Sequence, residues 1–108
     1  MTVFLVETLV VKPEKQAEIT AHLKNANEFT EKHPELFKEV KSLKIFAQML
    51  GGTMGGYVEM LEFESLAEFE KWINRLMQDK EYMSTIHSEG MASILPGTQS
   101  LSMWSPVI

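Results

Sequence analysis

Cysteine is absent from the 108 residues of this chain. Its absence excludes disulfide bonds, thiolate metal sites and cysteine nucleophiles. Histidine does not offer an alternative metal site, because only three histidines are present and His22 and His33 lie about three helical turns apart. We therefore predict no metal site, and we expect His22 and His33 at the surface or at a helix end.

Positive charge is also scarce. Ten lysine and arginine residues stand against fifteen aspartate and glutamate residues, for a formal net charge of −5. The basic residues are spread along the chain and form no stripe that could follow a phosphate backbone. We therefore predict that the protein does not bind nucleic acid.

No apolar run is long enough to cross a membrane. The first run covers residues 2–11, about half of the roughly 20 residues that a spanning helix needs. Glu7 and Thr8 interrupt this run, and neither a basic leader nor a small-residue cleavage site accompanies it. We expect no contact with a membrane, no signal peptide and a cytoplasmic location.

The remaining composition is typical of a globular protein. Apolar residues make up 44% of the chain and charged residues 23%, which is close to the average of folded domains. A chain of this length matches a single domain. We therefore predict one domain over residues 1–108.

The first strand has two apolar faces. In residues 2–11, one alternating set contains Val3, Leu5, Glu7, Leu9 and Val11, and the other contains Phe4, Val6, Thr8 and Val10. Successive side chains of a strand point to opposite faces, so both faces of this strand favour burial. Two helices on a small sheet cover only one face. We therefore expect a second copy of the chain to cover the other, with a cavity between the two sheets.

The order of elements predicts the fold class. Pro13 suits the first turn of a helix, His33-Pro34 ends that helix, and Ser65 with Glu68 forms a capping box at the start of another. The predicted elements are strands at about 2–11, 40–50, 57–63 and 98–105, and helices at about 13–32, 66–78 and 80–88. This β-α-β-β-α-β order predicts an α+β, ferredoxin-like fold, with two helices on one face of a four-stranded antiparallel sheet.

Two segments carry a resemblance to a known superfamily. They are the exit from strand one at residues 10–15 (VVKPEK) and the strand-to-helix junction at residues 61–69 (LEFESLAEF). In these segments and in its element order, the chain resembles the dimeric α+β barrel superfamily. That superfamily includes antibiotic-biosynthesis monooxygenases, haem-degrading monooxygenases and NIPSNAP-like proteins. The resemblance implies a homodimer or a higher homo-oligomer.

The haem-degrading branch of that superfamily uses an asparagine on strand one, a tryptophan on helix two and a later histidine. Trp72 follows Ser65 by the spacing of that branch, and His87 falls near the place of the histidine. Strand one has no asparagine, and Glu7 or Thr8 occupies the corresponding region. The resemblance therefore implies oxidation of an electron-rich substrate without haem or any other cofactor.

Four residues are the candidates for chemistry or binding. Glu7 is a candidate general base, because burial in a cavity would raise the pKa of its carboxyl group; a strand-end carboxylate paired with a lysine is the alternative. His87 on the short helix is a candidate for proton transfer, or simply a half-exposed side chain. Trp72 and Trp104 are candidates for packing against a ligand, or for ordinary core or interface packing.

Two functions remain open from the sequence. The first is a small cofactor-independent monooxygenase-like enzyme that acts on an apolar or aromatic molecule, with Glu7 or His87 taking a proton. The second is a non-catalytic module that binds a small apolar molecule or a partner protein. The methionines, eight in number, suit an adaptable core or a pocket for an apolar ligand.

Overall fold

The computed structural model of the protein describes residues 1–52 and 54–108. Within these residues, four strands form an antiparallel sheet in the order β2-β3-β1-β4. The strands are β1 (Val3–Val10), β2 (Ser42–Ala47), β3 (Gly56–Phe63) and β4 (Ser100–Trp104). The predicted four-stranded antiparallel sheet of a ferredoxin-like α+β fold is confirmed. The glycine-rich segment 51–56 joins β2 to β3, and Thr53 in it lies outside the described residues.

Two helices connect the strands as the sequence predicts. A short 3₁₀ helix, Pro13–Glu18, leads into α1 (Ile19–Lys32). The second helix, α2 (Leu66–Gln78), begins after Ser65, whose Oγ accepts a hydrogen bond of 3.3 Å from the backbone N–H of Glu68. The serine half of the predicted capping box is therefore present.

The third helical region is longer than the predicted helix at 80–88. It consists of α3 (Lys80–Tyr82), a π-helical segment (Met83–His87) and α4 (Ser88–Ser93). The π-helical segment has no signature in the hydrophobic pattern, so the sequence did not predict it. Such segments are rare and are frequently found at functional sites.

The strand register divides the side chains between two faces of the sheet. The helix face carries the alternating set of β1 that contains Leu5, Glu7 and Leu9, opposite Leu61, Glu59 and Tyr57 of β3. The open face carries the other set, and its large apolar members are Phe4, Val6, Phe46, Val58, Met60 and Trp104. Among the described residues, no helix covers the open face, so the apolar side chains of β1 on that face have no helix packed against them.

The hydrophobic core lies at one end of the helix face. Phe63 is fully buried and its ring lies 5.2 Å from the ring of Trp72 on α2. Phe29 from α1 and Leu76 from α2 belong to the same cluster. Both helices are therefore anchored at the Phe63 end of the sheet, and this anchoring leaves the other end of the helix face less filled.

A buried ion pair ties α2 to the segment before β2. The Glu39 side chain is 5% exposed, and both of its carboxylate oxygens accept hydrogen bonds from Arg75, two of which are 3.1 Å long. Arg75 also donates to the backbone carbonyl of Glu35. Paired in this way, the Glu39 carboxylate can be buried without a large cost.

Among the described residues, no helix has both the length and the apolar character needed to cross a bilayer.

Candidate functional site

A pocket of about 670 Å³ lies between the helices and the helix face of the sheet. Apolar side chains from α1, from the π-helical segment and from the strands form most of its lining, among them Leu9, Leu23, Ile45, Leu61 and Ile86. Its volume is in the range that accommodates a small organic molecule. Gly90, Met91 and Ser93 of α4 also belong to the lining.

The position of this pocket corrects an expectation from the sequence. The sequence predicts a cavity between two sheets, with Glu7 pointing into it. In the structure Glu7 lies on the helix face, and the pocket that it lines belongs to a single chain. The alternation of side chains along β1 correctly predicts which residues share a face. Because both faces are apolar, it does not indicate which face packs against the helices.

Two carboxyl groups face each other across the central strands of the pocket. Glu7 of β1 and Glu59 of β3 are directly opposite in the antiparallel register, and both are half-buried. Side chains in such a position stand about 5 Å apart at their Cβ atoms, so two negative charges there repel each other. Burial, followed by repulsion from Glu7, raises the pKa of Glu59 to about 7.

Gln99, in the segment before β4, supplies a partner for one of these carboxyl groups. Its Nε2 atom donates a hydrogen bond to Oε2 of Glu7. An amide donor stabilises a carboxylate without adding positive charge. The pair therefore has one member held by a neutral donor, Glu7, and one member, Glu59, that is about half protonated at pH 7.

Tyr82 and His87 reach the pocket from the third helical region. They are five positions apart in the sequence, which on an α-helix would place their side chains about 140° apart. The wider π-helical winding brings both to the pocket, with ring centroids 6.2 Å apart. Burial, and then the charges of Glu59 and Glu7, raise the pKa of Tyr82 to about 12. Tyr82 therefore stays protonated and can donate a hydrogen bond at physiological pH.

His22 is a further polar residue of the pocket, although the sequence analysis expected it at the surface. Its side chain is only 13% exposed, and its Nδ1 atom lies 2.6 Å from Oε1 of Glu89 on α4. Since a carboxylate only accepts, Nδ1 carries the proton in this pair. Gly90 allows the close approach, because a Cβ atom at that position would lie 3.2 Å from Nε2 of His22.

His33 occupies the helix-end position that the sequence predicts. It is the residue that follows α1, and its ring contacts the ring of Phe29, with centroids 4.3 Å apart and the planes tilted by 35°. Glu35 and Glu81 each approach one of its ring nitrogens to 3.6 Å. His33 is therefore a structural residue at the end of α1.

The two tryptophans lie on opposite sides of the sheet. Trp72 is 6% exposed and lines the pocket, and its buried Nε1 has no hydrogen-bond acceptor among the described residues. Trp104 is 62% exposed on the open face, where its Nε1 donates to Oγ of Ser102. The register that pairs Trp104 with Phe4 accounts for this position. The structure thus brings Glu7, Trp72 and His87 to one pocket and leaves Trp104 outside it.

Glu59 is the central residue that the sequence analysis missed. It interrupts the apolar set Tyr57, Leu61 and Phe63 in the same way that Glu7 interrupts its own set. A charged residue in the middle of an apolar strand face was the available signal. Its significance depends on the register between β1 and β3, which the sequence pattern alone does not specify.

A metal site is not apparent among the described residues. They contain no group of three or more histidine, aspartate or glutamate side chains arranged to hold a metal ion.

Comparison with known proteins identifies relatives in structure but not in sequence. No family model matches the chain, and no curated protein matches it. A NIPSNAP family protein of unknown function from Agrobacterium tumefaciens has a TM-score of 0.75 at 16% identity, covering 97% of this chain and 87% of its own. A variant of SnoaB, a cofactor-independent oxygenase from Streptomyces nogalater, has a TM-score of 0.69 at 11% identity, covering 99% of this chain and 94% of its own.

These similarities confirm the predicted resemblance. The chain shares the ferredoxin-like α+β fold of these proteins. A candidate antibiotic biosynthesis monooxygenase from Bacteroides thetaiotaomicron is similar as well, with a TM-score of 0.67 at 16% identity over 99% of this chain and 90% of its own. Identities this low establish the fold alone, and the fold hosts both an oxygenase and proteins of unknown function.

Proposed function

We propose that this protein binds a small, largely apolar aromatic molecule in the pocket and oxidises it with molecular oxygen, without a cofactor. The observation that carries the proposal is the position of Glu59, a carboxyl group in an apolar pocket with a pKa of about 7. A general base works best when its pKa lies near the working pH. Glu7 and His87, the candidates from the sequence, line the same pocket.

The proposed reaction begins with a proton transfer to Glu59. A methylene group between two aromatic rings, as in an anthrone, loses a proton to the carboxylate and becomes a resonance-stabilised carbanion. The carbanion gives electrons to molecular oxygen and forms a carbon–oxygen bond, and the proton returns to make a hydroperoxide. Cleavage of the O–O bond with loss of the remaining C–H proton leaves a ketone and water. The substrate supplies all four electrons, and one oxygen atom enters the product.

The other polar groups of the pocket have supporting roles in this proposal. The Tyr82 hydroxyl, which stays protonated because its pKa is about 12, can donate to an oxygen atom of the substrate. His87 can move a proton between the pocket and solvent, since it is half-buried beside Tyr82. Trp72 forms part of the wall against which an aromatic ring can stack.

We also propose that the protein is a homodimer that pairs through the open face of the sheet. Phe46 and Trp104 on that face are 50% and 62% exposed, and Phe4, Val6, Val58 and Met60 lie between them in the register. Contiguous apolar surface of this kind is typical of protein interfaces. The face is separate from the pocket, so pairing would leave room for a ligand in each chain.

Oxygen uptake tests the proposed reaction. A panel of anthrone-like substrates is added to the protein in a closed oxygen-electrode cell, and the product is identified by mass spectrometry. We expect one oxygen molecule to be consumed per ketone formed, and Glu59→Gln to lower the rate about a hundredfold. The matched control is Glu62→Gln on the open face of β3, which is expected to keep the rate. Binding of the panel without oxygen uptake would refute the oxidation and support the non-catalytic binding module instead.

A further inference from the structure

The pocket lining carries two negatively charged side chains and a histidine that already has a carboxylate partner. Glu7 and Glu59 both line the pocket, and no lysine or arginine is among the described residues of its lining. His22 already has a carboxylate partner in Glu89. A ligand that brings a negative charge into this pocket would therefore meet a carboxylate pair, with no lysine or arginine among the described lining residues to compensate it.

The apolar walls of the pocket strengthen the repulsion between the two carboxylates and a negatively charged ligand. Most lining residues are apolar, and apolar walls that exclude water strengthen the interaction between charges. The amide of Gln99 is the one hydrogen-bond partner that the described residues provide for the Glu7 carboxylate, and it is neutral. The field of the carboxylate pair therefore extends into the space that a ligand would occupy.

Trp72 forms part of the wall around the carboxyl pair. The residue is 6% exposed, and its Nε1 atom is itself buried. Trp72 therefore offers a ligand the surface of its ring rather than a hydrogen bond.

We propose that the pocket selects its ligand by charge, with Glu7 and Glu59 as the specificity-determining residues. It admits uncharged or positively charged aromatic molecules and rejects those with a carboxylate or phosphate group. Its ligand is an aromatic molecule with a hydroxyl or amine group at the carboxyl pair and its ring against Trp72. This inference rests on the pocket of the proposed function and adds the substrate class.

Three probes that share one ring system test the selection. Naphthylmethanol is neutral, naphthoate is negative and naphthylmethylamine is positive at pH 7.5 or below, and the three differ little in size. Dissociation constants are measured by isothermal titration calorimetry in the absence of a turnover substrate. We expect naphthoate to bind at least about tenfold more weakly than naphthylmethanol, which is about 1.4 kcal/mol, and the amine to bind at least as tightly as the alcohol.

Variants connect the order of affinities to the two carboxyl groups. In Glu7→Gln and in Glu59→Gln, the ratio of the naphthoate dissociation constant to the naphthylmethanol dissociation constant is expected to fall severalfold. Glu62→Gln removes an equal charge from the open face and is expected to keep the wild-type order. Circular dichroism and thermal melting establish that each variant is folded, and the two single variants serve as independent tests.

Several outcomes would overturn the proposal. They are naphthoate binding as tightly as naphthylmethanol, an order of affinities that both glutamine variants leave unchanged, and failure of naphthylmethanol to bind at all. The result is separable from the proposed oxidation, because the order of affinities is measured without turnover. Charge selection without oxygen uptake would refute the oxidation alone, and oxygen uptake without charge selection would refute this inference alone.

Discussion

Glu59→Gln is expected to stabilise the protein above pH 7 and to change its stability little at pH 5. Glutamine has nearly the shape of a protonated glutamate and cannot ionise. In the wild-type protein, raising the pH forces a negative charge onto Glu59 opposite Glu7, inside a pocket with apolar walls. The substitution removes that charge and leaves the packing of β3 in place.

The size of the effect follows from the two pKa values of the Glu59 carboxyl group. Its ordinary pKa is 4.5, and burial with repulsion from Glu7 raises the pKa in the folded protein to about 7. Between these values the folded state retains a proton that the unfolded state has released, so the free energy of unfolding falls as the pH rises. The loss begins near the lower value and is complete above the higher one. Its upper limit is about 3 kcal/mol.

Urea denaturation at pH 5, 6, 7 and 8 measures this effect. The difference in unfolding free energy between Glu59→Gln and the wild type is expected to stay below about 1 kcal/mol at pH 5 and to rise to about 1–3 kcal/mol at pH 8. Glu62→Gln is the control, because Glu62 is on the other face of β3 and accepts a hydrogen bond of 2.9 Å from Ser42. A difference that stays constant across this pH range, or one that makes the variant less stable at pH 8, would refute the reasoning.

Three further predictions concern other parts of the molecule. Arg75→Met leaves the buried carboxylate of Glu39 without its partner and is expected to lower the unfolding free energy by about 3 kcal/mol, measured by urea denaturation at pH 7; a loss below 1 kcal/mol would contradict the role of this pair. Ser65→Ala removes the N-cap of α2 and is expected to cost about 1 kcal/mol in the same assay, whereas no loss would show that the cap is dispensable. Phe46→Asp puts a charge on the open face and is expected to shift the protein from dimer to monomer in sedimentation velocity at micromolar concentration, and a wild-type protein that is already monomeric there would refute the proposed homodimer.

The fold could be predicted from the sequence because its signals are local. Ser65 and its capping pattern locate the start of α2, and Pro13 and His33 bracket the first helical region. Alternating apolar residues identify the strands to within a few positions. The largest difference is at β2, which is shorter at both ends than the predicted strand at about 40–50. The element order then restricts the topology to a small number of arrangements.

The site was harder to predict because it depends on contacts between distant segments. Glu7 and Glu59 become a pair only through the register of β1 and β3, and His22 becomes a pocket residue only through the way α1 packs on α4. The π-helical segment that brings Tyr82 and His87 together has no sequence signature. Candidate residues such as Glu7 and His87 could therefore be identified from the sequence, but the residues that surround them in the folded protein could not.

The protonation of Glu59 is the property on which the proposed function depends most directly. It can be measured by following the carboxyl ¹³C chemical shifts of glutamate-labelled protein from pH 3 to pH 9, with Glu59→Gln used to assign the resonance. The account predicts one carboxyl group, absent from the variant, that titrates with a midpoint near 7. A Glu59 resonance with a midpoint near the ordinary value of 4.5 would contradict it.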